Sequence, residues 1–221
     1  MAEITLVRHG QASFGADNYD QLSALGRQQS RWLGEHLQAL DYRFDQVVVG
    51  SLERHRDTAN EIAPALAGQH EIQSGLNEYY FRNLLAALQQ QYPREWTDTG
   101  IPKKDYYHNI RRALGYWITG EIESDGFDSW EQFCSRIREA WQTILSSPAK
   151  RILVVSSAGP ISVILGETLQ LKPEQMLALT LQIKNTSVCK ILFNRSESNL
   201  DSFNDIAHLQ HPDRQASVSF S

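Results

Sequence analysis

Three short runs of apolar residues constrain the fold of this 221-residue chain more than any other feature. They occupy residues 4–7, 47–49 and 152–155, and each is followed by a segment with helical periodicity. Strands that are apolar along their whole length are typical of a parallel sheet, because helices cover both of its faces. A fourth run, at 188–193, adds another strand. We therefore predict an α/β fold, a three-layer sandwich in which helices flank a mostly parallel sheet.

Capping residues and apolar spacing mark the expected helices. These are predicted at 23–40, 52–66, 128–144 and 160–169. Ser23 is placed to cap the first helix, and Asp128 with Glu131 resembles a capping box for the third. Pro160 suits the first turn of the fourth.

The segment 83–127 interrupts this alternation of strands and helices. It contains two prolines, four glycines and many aromatic residues. We interpret it as a mostly helical, cap-like insertion near the site, within one domain that spans 1–221. The polar tail from Pro212 is expected to be frayed.

The charge balance limits the possible partners. The chain carries 21 Lys and Arg against 26 Asp and Glu, a formal net charge of −5, so the clustered basic surface that nucleic acids require is not expected.

No apolar run is long enough to span a membrane, and no signal-peptide pattern opens the sequence. Cys134 and Cys189 lack a metal-ligand or disulfide spacing and are expected to be small core residues. A cytoplasmic protein fits these features, which favour no particular oligomeric state.

The strongest chemical signal follows the first strand. There the apolar run ends in Arg8, His9, Gly10 and Gln11. In α/β sheets ligands bind beyond the carboxyl ends of the strands, so these residues are expected in a site. A neutral imidazole can attack phosphorus, an arginine can bind phosphoryl oxygens in a bidentate manner, and a glycine lets the backbone approach an anion. The alternative is a strand end with an incidental histidine.

Three further segments contribute candidate residues, each with a structural alternative. Arg54 lies in the first turn of the second helix, where an anion is favoured, although alternating charges also suit a solvated helix face. Glu78 stands among aromatic residues that would raise its pKa if it were buried, as a general acid requires, although this segment taken alone favours a surface loop glutamate. Ser157 and Ala158 follow the 152–155 strand, where the serine would also serve as an N-cap.

Together these segments resemble the histidine phosphatase superfamily, the phosphoglycerate mutase-like proteins. The first matching block is Arg8-His9-Gly10, and the second is the pattern Leu52, Arg54, Thr58 and Ala59. Glu78 matches the family's acid position, and residues 185–187 and 204–209 are similar to its closing segment. The resemblance spans about residues 2–209.

The resemblance implies a metal-free, cofactor-free phosphoryl transfer. His9 would be the nucleophile that forms a phosphohistidine, and Glu78 would protonate the leaving oxygen. Arg8 and Arg54 would bind the phosphoryl oxygens and supply the positive charge, with further contacts from Gly10, Gln11, Ser157 and Ala158. The implied partner is a phosphomonoester, either a small molecule or a protein, with no nucleic acid and no membrane.

The chain departs from the family pattern at three places. Gln11-Ala12 and Gly15 replace the usual residues after the first block, and Gly50-Ser51 replaces a Ser-Pro pair. The family's second histidine is replaced by Ser157, and losing such a donor costs on the order of 100- to 1000-fold in rate, or roughly 3–4 kcal/mol. The replacement therefore predicts a slow enzyme, in which Ser157→His would raise the rate where space permits.

Two other histidines are candidate substitutes for the missing donor. His55 follows Arg54 directly, so on a helix it is expected to point about 100° away from the site. His108 lies in the inserted segment and would have to fold over the pocket. His208 and His211, three residues apart without a third ligand, predict no metal site.

Three functions remain open from the sequence. The first is a phosphatase. The second is a non-catalytic phosphate-binding or protein-interaction module, which would keep the arginines and account for Ser157. The third is a phosphotransferase of the phosphoglycerate mutase type, which would need a basic pocket for a second acidic group.

Overall fold

Six strands form one mixed sheet in the computed structural model, which describes residues 2–13, 20–194 and 197–220. The strands are β1 (Ala2–Arg8), β2 (Gln46–Val49), β3 (Glu71–Ile72), β4 (Arg151–Ser156), β5 (Val188–Phe193) and β6 (Ser198–Asp205). Their order is β3-β2-β4-β1-β5-β6. The pairs β1–β4, β2–β4 and β2–β3 are parallel, whereas β5 runs antiparallel to both β1 and β6.

The predicted α/β fold with a mostly parallel sheet is confirmed. The three apolar runs form the central strands β1, β4 and β2, which are buried on both faces along most of their length. The outer strands β3 and β6 lack that signal. Both residues of β3 are exposed, and β6 is rich in Ser, Asn and Asp, so neither strand has the apolar pattern that predicts one.

Seven α-helices flank the sheet within the described ranges. They are α1 (Ala24–Ala39), α2 (Glu53–Ile62), α3 (Phe81–Gln91), α4 (Pro102–Ile118), α5 (Trp130–Leu145), α6 (Ala158–Leu169) and α7 (Pro173–Thr180). Ser23 caps α1 as predicted, its side chain accepting a hydrogen bond from the Gly26 amide. The capping box of α5 lies one residue later than predicted, on Ser129 and Gln132, because both reciprocal hydrogen bonds form there.

The segment 83–127 is largely helical, and its helices share the main core of the molecule. Leu88 of α3 and Trp117 of α4 are buried in one hydrophobic cluster with Phe133 of α5 and Ile4 of β1. The rings of Trp117 and Phe133 lie 5.2 Å apart, centroid to centroid. The aromatic residues of this segment therefore serve in part to attach it to the body of the protein.

The carboxyl-terminal tail is not frayed, contrary to the expectation from its polar composition. Gln29 donates a hydrogen bond from Nε2 to the Ser217 carbonyl oxygen at 2.6 Å. Asn185 donates its backbone amide to the Ser219 carbonyl oxygen at 2.9 Å. These backbone contacts, which composition does not reveal, fix the tail against α1 and the segment before β5.

The remaining structural expectations concern the cysteines and the membrane. Cys134 and Cys189 are buried and free, as predicted, and burial raises the pKa of their thiols to about 12 and about 11. No helix within the described ranges combines the length and apolar character that crossing a membrane requires.

Candidate active site

The candidate residues gather where three neighbouring parallel strands end. His9 follows β1, Gly50 follows β2 and Ser157 follows β4, and the sheet order places β4 between the other two. The His9 amide donates to the Ser156 carbonyl oxygen at 2.9 Å, and the Gly50 amide donates to the Val155 carbonyl oxygen at 3.2 Å. These bonds hold the three strand ends together at the edge where α/β sheets bind ligands.

His9 is held in a single tautomer. Its Nδ1 lies 2.7 Å from the Gly10 carbonyl oxygen, which can only accept, so Nδ1 carries the proton. Its Nε2 accepts a hydrogen bond from Arg54 Nε at 3.1 Å and therefore bears the lone pair. Burial, followed by the charges of Arg54 and Arg8 and the neighbouring His55, holds the pKa of His9 well below its ordinary value. His9 is thus a buried neutral imidazole whose lone-pair nitrogen lies beside a guanidinium.

Arg54 is placed by the first turn of α2. Its Nη1 forms an ion pair with Asp20 Oδ1 at 2.6 Å, while Asp20 Oδ2 accepts the Glu53 amide at 2.8 Å. Thr58, one turn later, accepts the Gly10 amide at 3.0 Å and donates to the Arg54 carbonyl oxygen. A carboxylate thus lies at the amino terminus of α2 against an arginine, a position that favours an anion.

Arg8 is buried at the end of β1. Its Nη1 donates to the carbonyl oxygens of Ile183 and Phe220, at 2.6 and 3.0 Å. The segment before β5 completes this region, since Asn185 Nδ2 donates to the His9 carbonyl oxygen at 3.0 Å. Thr186, with φ of 54°, donates its amide to the Arg8 carbonyl oxygen. A non-glycine residue held in this region of backbone space is typical of functional sites.

Glu78 approaches the site from the loop before α3. Its Oε2 accepts the Gly159 amide at 3.2 Å, and its Oε1 accepts the Tyr79 amide at 3.1 Å. Burial raises the pKa of Glu78, although both hydrogen bonds and the charges of Arg54 and Arg8 act in the opposite direction. A Cβ atom on residue 159 would overlap Glu78 Oε1, so the contact requires glycine there. The raised pKa suits a carboxylic acid that gives up a proton.

Ser157 is directed at a histidine rather than at the helix it precedes. It occupies the N-cap position of α6, but among the described residues its hydroxyl makes no capping bond. Instead Ser157 Oγ lies 2.7 Å from His55 Nε2, and both residues are fully buried. The ring of His55 lies 5.6 Å from that of His9, with an interplanar angle of 33°.

The expectation that His55 points away from the site is therefore wrong. Arg54 and His55 are both buried, because the first turn of α2 enters the site and is enclosed on more than one side. His108, the other candidate substitute, is exposed on α4. The sequence signal for His55 was its place inside the second motif, directly after Arg54.

The other predicted contacts have structural partners of their own. The Gln11 amide donates to Gln29 Oε1 at 2.9 Å, and Gln11 Oε1 accepts from the cap residue Ser23. Gln11 is thereby engaged with the start of α1. Ala158 is the buried first residue of α6. Gly15 lies outside the described residues.

His208, which was predicted to bind no metal, hydrogen-bonds Thr186 Oγ1 through Nε2 at 2.9 Å.

Solved structures share this architecture at low sequence identity. The alpha-ribazole phosphatase from Shigella flexneri superposes with a TM-score of 0.67 at 21% identity, covering 93% of this chain and 97% of its own. A phosphoserine phosphatase mutant from Entamoeba histolytica, in complex with phosphoserine, gives 0.66 at 19% identity, covering 95% and 100%. The phosphoglycerate mutase from Bacillus anthracis gives 0.64 at 19% identity, covering 94% of each chain. At these identities the likeness shows the fold.

The family of this chain is established by its sequence. Among curated proteins no match is found. The family model of the histidine phosphatase superfamily (branch 1) matches residues 4–206, which include β1, the second motif, Glu78 and the segment before β5. The chain therefore belongs to the histidine phosphatase superfamily.

Proposed function

We propose that this protein hydrolyses phosphomonoesters through a phosphohistidine on His9. The observation that carries the proposal is the fixed tautomer of His9. The Gly10 carbonyl oxygen holds the proton on Nδ1, so the lone pair on Nε2 lies next to the Arg54 guanidinium. A neutral nucleophile beside a fixed cation is the arrangement that phosphoryl transfer to histidine requires.

In the first step His9 Nε2 attacks phosphorus, and the bond between phosphorus and the ester oxygen breaks. That oxygen leaves with the bond's electron pair and takes the proton of Glu78, so the alcohol departs neutral. Arg54 offsets the negative charge on the phosphoryl oxygens. The phosphoryl group must first replace the Arg54–His9 hydrogen bond, because Arg54 Nε occupies the direction of the His9 lone pair.

In the second step the Glu78 carboxylate takes a proton from water as the water oxygen attacks phosphorus. The bond between phosphorus and Nε2 breaks, and its electron pair returns to the imidazole. Inorganic phosphate leaves, and Glu78 is again protonated. The raised pKa of Glu78 matches this alternation, because the group must both hold and release a proton near neutral pH.

The test is hydrolysis of an aryl phosphate by the wild-type protein and by His9→Ala. We expect turnover by the wild type and none by the variant, together with an acid-labile phosphoryl group on the wild type during turnover. His36→Ala, on α1, is the matched histidine control and should keep its activity. Wild-type turnover by purified His9→Ala would refute the proposal, and phosphate binding without turnover by either protein would favour a binding module.

A further inference from the structure

We propose that His55 is a positioning residue that directs the hydroxyl proton of Ser157 at the phosphoryl group bound by His9. This inference rests on the proposed function and deepens it. The inference identifies a hydrogen-bond donor for the transferred phosphoryl group, formed by one residue of α2 and one residue at the end of β4. The donor is the Ser157 hydroxyl, and His55 acts through it.

The Ser157–His55 pair lies at the strand ends where the candidate residues gather. Ser157 Oγ and His55 Nε2 are 2.7 Å apart, and the accessible surface of both residues is zero. The His55 ring lies 5.6 Å from the His9 ring. Ser157 also stands at the amino terminus of the 12-residue helix α6, whose backbone N–H groups favour an anion. The hydroxyl is therefore close to the place where negative charge develops.

The proton on His55 determines which way the serine donates. His55 Nδ1 is buried and has no hydrogen-bond partner among the described residues. A buried N–H without an acceptor is rare and costly, so the proton belongs on Nε2, where Ser157 Oγ can accept it. Once Ser157 accepts from His55, its own proton is free to donate elsewhere. The hydroxyl then serves as a donor to a phosphoryl oxygen.

The surroundings keep His55 neutral and in one orientation. Burial and the charge of Arg54 hold the pKa of His55 well below its ordinary value. A Cβ atom on residue 50 would overlap His55 Nδ1 and Cε1, so only glycine leaves room for the ring. The ring is thus enclosed by Gly50, Ser157 and His9. A donor that is fixed before the substrate binds stabilises the transition state without reorganisation.

The test compares His55→Leu, His55→Gln and Ser157→Ala for aryl phosphate hydrolysis. We expect His55→Leu and Ser157→Ala each to lower kcat on the order of 100-fold, with a much smaller change in KM. The double variant should be no slower than the slower single variant, because both remove the same donor. His55→Gln carries an N–H near the position of Nε2 and should keep most of the activity.

Two outcomes would overturn the inference. One is an equal loss for His55→Gln and His55→Leu, which would indicate that His55 only fills space. The other is a proton on His55 Nδ1, seen in the nitrogen NMR spectrum of the wild-type protein. The NMR measurement does not depend on activity, so it decides the inference even where a variant folds poorly.

Comparing these variants with His9→Ala distinguishes a failure of this inference from a failure of the proposed function. If His9→Ala is inactive while Ser157→Ala and His55→Leu retain wild-type kcat, the proposed function stands and the positioning role fails. If the wild-type protein does not hydrolyse the aryl phosphate, the affinity for vanadate is measured instead of kcat. Weaker vanadate binding by Ser157→Ala and His55→Leu would then support the donor, and unchanged binding would overturn it.

Discussion

Arg54 connects His9 to the Asp20 carboxylate at the start of α2. It donates to His9 Nε2 and pairs with Asp20, and it is 7% exposed. Arg56 is on the same helix, about 200° around its axis, and is exposed. The two arginines therefore have the same charge but different access to the site.

We expect Arg54→Ala to weaken vanadate binding about 10- to 100-fold, because charge-assisted hydrogen bonds contribute roughly 1.5–3 kcal/mol each. Arg56→Ala is the matched control and should change binding little. A titration monitored by inhibition or calorimetry measures both. Equal effects of the two substitutions would mean that net charge, rather than the placement of Arg54, attracts the anion.

Glu78 makes the stability of the fold depend on pH, because burial raises its pKa in the folded protein. The folded state then holds the Glu78 proton more tightly than the unfolded chain does. The stability that this proton contributes is present below the unfolded pKa and is lost as the pH rises through the raised folded pKa. Ionised Glu78 is thus a cost to the folded state at neutral pH.

We expect Glu78→Gln to unfold at a higher urea concentration than wild type at pH 7, with a smaller difference at pH 4. The same variant should lose kcat on the order of 100-fold or more, and the loss should be larger for an alkyl than for an aryl phosphate, whose leaving oxygen needs a proton less. A stability gain that is the same at both pH values would contradict the raised pKa. A loss independent of the leaving group would contradict the role as acid.

At the scale of elements, the pairing of α2 with the end of β4 changes what a histidine at position 157 should do. Ser157 is fully buried, and its hydroxyl already contacts the His55 ring. The sequence alone favoured a rate gain from Ser157→His. An imidazole at position 157 would therefore compete with the His55 ring for the same buried space.

We expect Ser157→His alone to lower both kcat and thermal stability. His55→Ala in the same chain frees the volume and should recover part of each. The measurement is kcat and the unfolding midpoint for the two single variants and the double variant. Additive losses in the double variant would show that the two positions do not share one space.

The sequence predicted the central strands and the main catalytic candidates because each has a local signal. Continuous apolar runs marked β1, β2 and β4, and the arginine and histidine directly after the first of these runs marked Arg8 and His9. For His55 the local signal is only its place directly after Arg54, which does not indicate the contact of its side chain with Ser157. That contact depends on where the axis of α2 meets the sheet, which packing determines, whereas helical geometry gives only the angle between neighbouring residues. The anchored tail was missed for the same reason, since its partners are distant backbone atoms.

At the scale of the whole molecule, the tail joins parts of the chain that lie far apart in sequence. The Phe220 carbonyl oxygen accepts from Arg8 Nη1, and Ser219 Oγ donates to Asn185 Oδ1 at 2.9 Å. Asn185 in turn donates to the His9 carbonyl oxygen. The last residues thus contact the Arg8 side chain directly and the His9 backbone through Asn185.

We expect deletion of residues 212–221 to lower the unfolding midpoint and to weaken vanadate binding, because Arg8 and Asn185 lose partners that fix them. Gln215→Ala, at an exposed position within the tail, is the control and should leave both unchanged. Thermal unfolding and the vanadate titration measure the effects. A truncated protein with wild-type binding would show that the tail supports the fold but not the site.

The shared space around the His55 ring also has a consequence for how this site can change through evolution. Position 50 must lack a side chain and position 157 must remain small for as long as position 55 carries an imidazole. The three positions should therefore covary among homologous sequences, although up to 107 residues separate them. A change from a histidine at position 157 to a histidine at position 55 passes through a sequence with a histidine at both positions, which crowds the site, or at neither, which leaves the site without the second imidazole. We expect most homologues to carry one arrangement or the other, with few sequences between them.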